Sequence, residues 1–256
     1  MPEGDAPSMH ILKPENERDY LGCAESEAWA MRAARKAAHC SRAALLELAG
    51  APPTLVVERY DRTGQGALEG IKRIHQEDAC QALGLDPARK YADAKDPKGD
   101  NPTYKAIAGL LYAHAERPTE EVEELLRQMV VNIALGNWDA HAKNTSFLYA
   151  RPTVPTVAPM YDVVPISEVE PRTGCLSMRV NGIIRPKDVS GRDVIDEVAS
   201  WGLSRVVAEK VCGSCLKNLV EGIREASLAY PVAAARHEKA ALERIEKLRS
   251  DGLGAE

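Results

Sequence analysis

The stretch Gly136-Asn137-Trp138-Asp139-Ala140-His141-Ala142-Lys143-Asn144, followed by Tyr161-Asp162-Val163, decides the fold that this sequence predicts. It contains an aspartate at 139, an asparagine five positions later at 144 and a second aspartate at 162. Phosphoryl transfer from MgATP needs one carboxylate that accepts the proton of the attacking hydroxyl, and an asparagine and a second carboxylate that hold the metal ions. The spacing therefore predicts Asp139 as the catalytic base, and Asn144 and Asp162 as ligands of Mg²⁺.

A helix over residues 119–135 is predicted directly before this stretch. Its apolar residues recur at steps of three and four, as on the buried face of a helix: Val122, Leu125, Leu126, Met129, Val130 and Ile133. Glu120 and Glu121 stand in its first turn, where the helix dipole favours negative charge. Gly136 then provides the stop, so that the base and the first metal ligand lie in a tight loop that leaves the helix.

This spacing alone also occurs by chance, because Asp and Asn are common in loops, where they bond their own backbone. Four further stretches favour the catalytic interpretation: Pro7-Ser8-Met9-His10-Ile11-Leu12-Lys13-Pro14, Val57-Glu58-Arg59-Tyr60-Asp61-Arg62, His75-Gln76-Glu77-Asp78-Ala79-Cys80-Gln81 and Pro159-Met160-Tyr161-Asp162-Val163. With them, the chain resembles the HipA-like toxin kinases of bacterial toxin–antitoxin systems over about residues 7–230. The resemblance implies a serine/threonine protein kinase of the α/β (α+β) class. Its fold would be two-lobed and protein-kinase-like, with a truncated small lobe and a mostly helical large lobe.

The resemblance also implies which residues bind ATP. Lys13 corresponds to the lysine that contacts the nucleotide phosphates, and Glu27, at the opening of an alanine-rich helix, would pair with it. Glu58, Arg59 and Tyr60 fall at the hinge between the lobes, where backbone groups bond the adenine edge and Tyr60 packs near the ring. A lysine at a strand end and a glutamate in a first helical turn are otherwise ordinary surface residues, so those alternatives stay open.

Two further side chains of the catalytic loop take roles through the resemblance. His141 lies between the base and the metal ligand, and it would orient the loop or approach the phosphates. Lys143 would neutralise charge on the transferring phosphoryl group. The alternatives are a structural, hydrogen-bonded histidine and an exposed loop lysine.

Domain organisation follows from the same resemblance. Residues 1–62 are predicted to be the remnant of the small nucleotide-binding lobe with the hinge, and residues 63–256 the helical large lobe with the catalytic and metal-binding loops. In the family, an N-terminal subdomain and a glycine-rich loop precede the phosphate-contacting lysine, which is the thirteenth residue here. We therefore expect a gene fragment, a misassigned start or one piece of a split kinase, for which a companion chain supplies the missing part. Loss of the loop should impair turnover more than nucleotide binding.

Composition sets further limits. The 256 residues are 45% hydrophobic and 28% charged, as is usual for a globular protein. The net charge of −5 disfavours direct binding of nucleic acid, which needs many Lys and Arg contacts to phosphate. No apolar run approaches the roughly 20 residues that span a bilayer, and the start does not read as a signal peptide, so a cytoplasmic protein without a membrane partner is expected. Cys212 and Cys215 form a single C-x-x-C, which favours structural cysteines over zinc or redox use.

Three functions remain open. The first is an ATP-dependent serine/threonine kinase of toxin type, which acts on a protein (the family precedent is an aminoacyl-tRNA synthetase) and is bound by an antitoxin-like repressor. The second is a catalytically impaired kinase that serves as a binding module for such a repressor. The third is a metal-dependent phosphohydrolase built on Asp139, His141 and Asp162, which the six scattered histidines disfavour.

The remaining pattern predicts local structure. Residues 10–12 are expected to form a short buried strand and 24–38 a helix, and His75-Gln76-Glu77-Asp78 a polar loop that enters a helix over 78–83. Strands are predicted at 146–149 and 157–160, and a hairpin at 176–184 that turns at Asn181-Gly182. A helix capped by Asp188 or Ser190 should end near Gly202, and helices over 204–229 and 232–250 follow. Residues 64–70 and 92–102 are predicted to be a turn segment and a flexible loop.

Overall fold

The computed structural model describes residues 8–15, 22–64, 71–92, 101–168 and 174–253, and every structural statement below concerns these residues. The predicted segments at 64–70 and 92–102 lie largely outside the described residues. The strands are β1 His10–Pro14, β2 Ala43–Leu46, β3 Thr54–Glu58, β4 Arg62–Thr63, β5 Lys72–Arg73, β6 His75–Asp78, β7 Ser146–Arg151 and β8 Val154–Val157. The α-helices are α1 Cys23–Ala34, α2 Ala79–Ala82, α3 Tyr104–His114, α4 Pro118–Leu135, α5 Gly191–Trp201, α6 Arg205–Ala229 and α7 Pro231–Ser250.

The first sheet has three antiparallel strands in the order β1-β3-β2. Ile11 pairs with Val57 and Lys13 with Leu55, and directly opposed side chains share one face, here the face against α1. The predicted burial of residues 10–12 is wrong, because Ile11 is 43% and Leu12 is 60% exposed. The reason is that β1 lies at the edge of the sheet, and the side chain of Leu12 faces away from α1.

Helix α1 is almost completely buried and connects the first sheet to the C-terminal helices. It packs against β2 and β3 on one side and against α6 and α7 on the other. Its start is capped by Glu15, whose carboxylate accepts the backbone N–H groups of Gly22 and Ala24, at 3.1 Å each. In its centre, Trp29 is fully buried and donates its indole N–H to Ser227 of α6 at 3.1 Å. The helix is therefore fixed at its start and along its length.

The second three-stranded sheet, formed by β6, β7 and β8, differs from the predicted structure at two places. His75-Gln76-Glu77-Asp78 forms strand β6, which pairs with β7 in antiparallel register, so the predicted polar loop is wrong. A four-residue strand of polar side chains carries no apolar alternation, and its pairing with β7, some seventy residues away, was not visible in the local pattern. Asp78 nevertheless caps α2 in a reciprocal box with Gln81. Strand β8 ends at Val157, where the predicted strand began, because β7 runs on to Arg151 before it turns.

The helices of the second half agree with their sequence signals. Helix α4 begins one residue before the prediction and ends at Leu135, with Gly136 in the left-handed region at φ 77°. Ser190 caps α5 and Gly202 ends it, as predicted. Helix α6 has Ser204 as its cap, and Cys212 and Cys215 are both buried within it. Of the predicted hairpin, the turn at Asn181-Gly182 is present with positive φ at both residues, but its arms pair only through the bridge between Val180 and Ile183. No helix in the described ranges is long and apolar enough to cross a membrane.

His237 of α7 contributes to the packing of α1. It is fully buried, its Nε2 lies 2.9 Å from the hydroxyl of Ser26, and its ring centroid is 5.8 Å from that of Trp29. Burial, and next the positive charge of Arg236, lower the pKa of His237 from 6.5 to about 4, against the opposing charge of Glu168. The unfolded chain therefore takes up a proton near pH 6.5, whereas the folded chain resists it until the pH approaches 4.

This difference predicts the direction of one pH effect on stability. The contribution of His237 to the free energy of unfolding should be complete above about pH 6.5 and should be lost as the pH falls toward about 4. We expect the free energy of unfolding to decrease by roughly 2 kcal/mol between pH 7 and pH 5 from this group. Urea unfolding at a series of pH values measures the slope, and His237→Gln is the comparison. Equal slopes for the two proteins would contradict the assignment.

Candidate active site

The predicted catalytic loop leaves α4 through a glycine that no other residue can replace easily. A Cβ on Gly136 would lie 2.1 Å from the Ser167 hydroxyl oxygen, and φ is positive. The next residue, Asn137, is buried and donates its side-chain amide to Asn132 of α4 at 2.9 Å, which ties the loop back to the helix. Residues 142–144 then form a single turn of 3₁₀ helix that leads into β7. The loop is thus held at both of its ends.

The two predicted metal ligands lie side by side. The amide Nδ2 of Asn144 is 3.2 Å from Oδ2 of Asp162 and 3.2 Å from the backbone carbonyl oxygen of Asp139. Asp162 adopts φ 56°, a conformation that few residues other than glycine take up and that often accompanies a functional site. A carboxylate and an amide oxygen are the hard ligands that Mg²⁺ accepts, together with water and phosphate oxygens. The donor set therefore fits Mg²⁺, provided that the Asn144 amide turns its oxygen toward the ion.

A partly buried ion-pair network adjoins these ligands. The ammonium of Lys13 lies 2.8 Å from Glu27 and 2.6 Å from Asp162, so it joins β1, α1 and the loop after β8. Burial alone would lower the pKa of Lys13, but the two carboxylates outweigh it and the net shift is upward. Burial raises the pKa of Glu27, with the charge of Lys13 opposing it. Glu27 is only 5% exposed, so it is not the solvated glutamate that the sequence left open.

The three predicted hinge residues begin at Glu58, the last residue of β3, and they differ in what they offer a ligand. The backbone N–H of Glu58 donates to Arg42 at 2.8 Å and that of Arg59 donates to Met9 at 2.9 Å, so neither donor is free for a nucleotide. The guanidinium of Arg59 donates two hydrogen bonds to Asp61, at 3.0 and 2.8 Å, and therefore shapes the turn. The sequence pattern predicts no role for Asp61.

Tyr60 points toward the metal-binding loop. Its ring centroid is 5.5 Å from that of Tyr161, the residue before Asp162. Burial raises the pKa of Tyr60, so its hydroxyl stays protonated. The hydroxyl of Tyr161 donates to the backbone carbonyl of Lys143 at 2.6 Å, which connects the hinge side of the site to the catalytic loop. The side chain of Lys143 itself is exposed.

The catalytic loop has two neighbours that sequence reasoning missed. His141 is buried, and its Nε2 lies 2.9 Å from the ammonium of Lys90. Burial lowers the pKa of His141, and the charge of Lys90 acts in the same direction against that of Asp139. The ring of Tyr91 meets that of His141 edge to face at 5.2 Å, and burial and then the charge of Asp139 raise the pKa of Tyr91. The signal in the sequence was weak, because these two residues stand directly before the predicted loop at 92–102.

The arrangement has the residue types that a nucleotide–metal complex needs. A lysine, a glutamate, two oxygen ligands and a candidate base converge from four separate parts of the chain. No group of three or more His, Cys, Asp or Glu side chains suited to a metal ion occurs in the described ranges.

Comparisons with known proteins find similarity along most of the chain. The profile of a family described as "HipA-like C-terminal domain" matches residues 2–223. "Putative kinase Y4mE" of Sinorhizobium fredii is 35% identical over 228 residues, which cover 88% of this chain and 51% of that protein. "Serine/threonine-protein kinase toxin HipA" of Shewanella oneidensis is 26% identical over 236 residues, which cover 90% of this chain and 53% of that protein. The chain thus spans about half the length of these curated relatives.

Solved structures confirm the predicted fold class. The HipA toxin of Shewanella oneidensis MR-1, in its complex with HipB and operator DNA, superposes with a TM-score of 0.83 at 23% identity, covering 93% of this chain and 58% of that one. The Helicobacter pylori proinflammatory kinase CtkA superposes with a TM-score of 0.51 at 12% identity, covering 93% of this chain and 88% of that one. At these identities the likeness concerns the fold alone.

Proposed function

Because the chain belongs to the HipA-like C-terminal domain family, we propose that it is the kinase part of an ATP-dependent serine/threonine protein kinase of toxin type. Such a kinase transfers the γ-phosphate of ATP to a protein hydroxyl. The observation that carries the proposal is the meeting of Lys13, Glu27 and Asp162, with Asn144 3.2 Å from the same carboxylate. Its relatives include proteins named as kinases, which supports the reaction class.

Nucleotide and metal would be held by the residues around Asp162. Asp162 and the turned amide of Asn144 would hold Mg²⁺, which when bound neutralises charge on the phosphates. Lys13, fixed by buried Glu27, would contact the phosphates as a positive charge of defined position. At the hinge, the aromatic ring of Tyr60 would pack near the adenine. Glu58 and Arg59 would shape this wall of the cleft, since their N–H groups are bonded within the protein.

Asp139 would act as the base. A carboxylate in hydrogen-bonding reach of the acceptor hydroxyl takes its proton as the bond to phosphorus forms. His141 would keep the loop in shape from its buried position. Lys143, whose side chain is exposed, would meet the phosphoryl group or the protein substrate from the solvent side.

We extend the proposal to partners and organisation. Residues 1–62 and 63–256 are the two lobes, with α1 as the helix that carries Glu27 between them. An antitoxin-like repressor in the cytoplasm is the proposed partner, supported by the solved complex of the Shewanella toxin with HipB and operator DNA. An aminoacyl-tRNA synthetase is one candidate substrate. The net charge of −5 supports contact with DNA through the partner rather than directly.

One observation favours a second candidate, a binding module with impaired turnover. The face of the first sheet that points away from α1 carries apolar side chains, and Leu12 is 60% and Leu46 39% exposed. Contiguous apolar surface on an exposed face favours contact with another protein. A companion chain that covers this face would be expected to restore turnover upon mixing.

Calorimetric titration of MgATP into the purified chain tests the proposed site. We expect binding that requires Mg²⁺ and that weakens by at least about tenfold, or about 1.4 kcal/mol, in Asp162→Asn and in Lys13→Met. Asp188→Asn is the matched control, because Asp188 is an exposed aspartate on the short helix Pro186–Asp188. A folded wild type that binds no MgATP, or an Asp162→Asn variant with wild-type affinity, would overturn the proposed site.

A further inference from the structure

A short segment, residues 90–92, lies against the catalytic loop and is bonded to it through the backbone. The N–H of Ala142 donates to the carbonyl of Lys90 at 3.1 Å. On the other side, the N–H of Ala92 donates to the carbonyl of Ser177 at 2.7 Å. Ser177 in turn donates its N–H and its hydroxyl to the carbonyl of Trp138, at 3.0 and 2.7 Å. The segment is thus tied to the loop on both sides of Asp139.

The side chains of this segment reach the two loop residues whose chemistry matters most. The ring of Tyr91 meets that of His141 edge to face, with 5.2 Å between the ring centroids, and burial and then the nearby charge of Asp139 raise the pKa of the Tyr91 hydroxyl. The ammonium of Lys90 lies 2.9 Å from Nε2 of His141 and 4.8 Å from the centre of the Tyr91 ring. Lys90 and Tyr91 therefore form a small cluster with Asp139 and His141, and neither has a role in the proposed mechanism so far.

We propose that Lys90 and Tyr91 are positioning residues that hold the base Asp139 and its neighbour His141 in their working orientation. This inference rests on the proposed kinase function for its catalytic consequence, though not for its structural content. A carboxylate has two oxygens, and a phenol that occupies one of them fixes the plane of the group and leaves the other for the substrate hydroxyl. A lysine that donates to Nε2 fixes the imidazole ring as an acceptor at that atom.

The opposite role for Tyr91 would be a plug. A phenol hydroxyl that donated to the carboxylate of Asp139 would compete with the substrate hydroxyl, so a mobile Tyr91 would block the acceptor. The backbone bonds on both sides of the segment argue against this, because they hold residues 90–92 in place whether or not a substrate is present. The two roles predict opposite changes in kcat when the hydroxyl is removed, because removal of a plug would raise kcat.

Steady-state kinetics of the full chain gives the first test. In Tyr91→Phe and Lys90→Met we expect kcat to fall about 10- to 100-fold, because small displacements of a catalytic group have effects of this size. The KM for ATP and the melting temperature should stay near wild type, which a general structural defect would not allow. Lys90→Arg, which keeps a positive donor, should recover part of the loss. Tyr112→Phe and Lys105→Met, at exposed positions of α3, are the matched controls.

Amide hydrogen exchange gives a second test that needs no activity. If the segment positions the loop, amides of residues 139–145 should exchange faster in Tyr91→Phe and Lys90→Met than in wild type and in the two controls. Wild-type exchange in both variants overturns the inference, as does a higher kcat in Tyr91→Phe. If the wild type transfers no phosphate to any protein, the kinase proposal fails, and the exchange rates still decide whether the segment holds the loop.

Discussion

An Asp139→Asn variant is expected to lose protein phosphorylation by about 10²- to 10⁴-fold while its affinity for MgATP stays close to that of wild type. Asparagine has nearly the size and shape of aspartate but cannot accept the proton of the attacking hydroxyl. The part of Asp139 that touches the metal-binding pair is its backbone carbonyl, which accepts the amide of Asn144 at 3.2 Å and is retained in the variant. The substitution therefore separates the proton transfer from nucleotide binding.

The measurement pairs two assays on the same protein. Transfer of labelled γ-phosphate from ATP to a mixture of acceptor proteins reports turnover, and calorimetry reports binding. Asp188→Asn should behave as wild type in both. A variant that keeps more than about a tenth of the wild-type rate would exclude Asp139 as the base, since a general base contributes at least about a hundredfold. Loss of binding and turnover together would instead point to a structural role for Asp139.

A second large effect is expected at the contact between α1 and α6. A Cβ on Gly222 would lie 2.3 Å from the backbone carbonyl oxygen of Ala33, and a backbone atom cannot rotate away. Gly222→Ala should therefore push α1 off α6 and lower the free energy of unfolding by about 1–3 kcal/mol. Because α1 carries Glu27, the displacement should also weaken the contact with Lys13 and reduce MgATP affinity.

The same helix offers a matched control. Gly213 also lies within α6, but a Cβ there would meet nothing within 4 Å. Gly213→Ala should raise the free energy of unfolding by roughly 0.8–1 kcal/mol, because alanine favours a helix over glycine. Urea unfolding of the two variants measures whether each substitution raises or lowers the free energy of unfolding. If Gly222→Ala also proved stabilising, the close packing of α1 on α6 would be wrong.

Local signals in the sequence were sufficient for the helices of the second half. Helix α4 was predicted from its apolar spacing, and its end from Gly136. Serine is favoured at the start of a helix and glycine at its end, so the two ends of α5 at Ser190 and Gly202 follow from single residues. These features depend on contacts within a few residues, which the order of residues along the chain contains directly.

Features that depend on distant pairing were not predictable in this way. The strand β6 consists of four polar residues and exists because β7 pairs with it. Exposure of Leu12 depends on which strand stands at the edge of the first sheet, and that order is a property of the whole sheet. The site residues Lys13, Asp139, Asn144 and Asp162 were predicted from motifs, whereas Lys90 and Tyr91 were not. Their contacts to the loop join positions about fifty residues apart in sequence, and no local pattern connects the two.

The ammonium of Lys13 acts as a counterion for the carboxylate of Asp162. Its ammonium lies 2.6 Å from Asp162 and 2.8 Å from Glu27, so it balances the carboxylate that a divalent ion would claim. If the proposed function holds, Asp162 would exchange this ammonium for Mg²⁺, and Lys13 would turn to the phosphates. In such an exchange the carboxylate of Asp162 would have an opposite charge beside it both before and after a nucleotide binds.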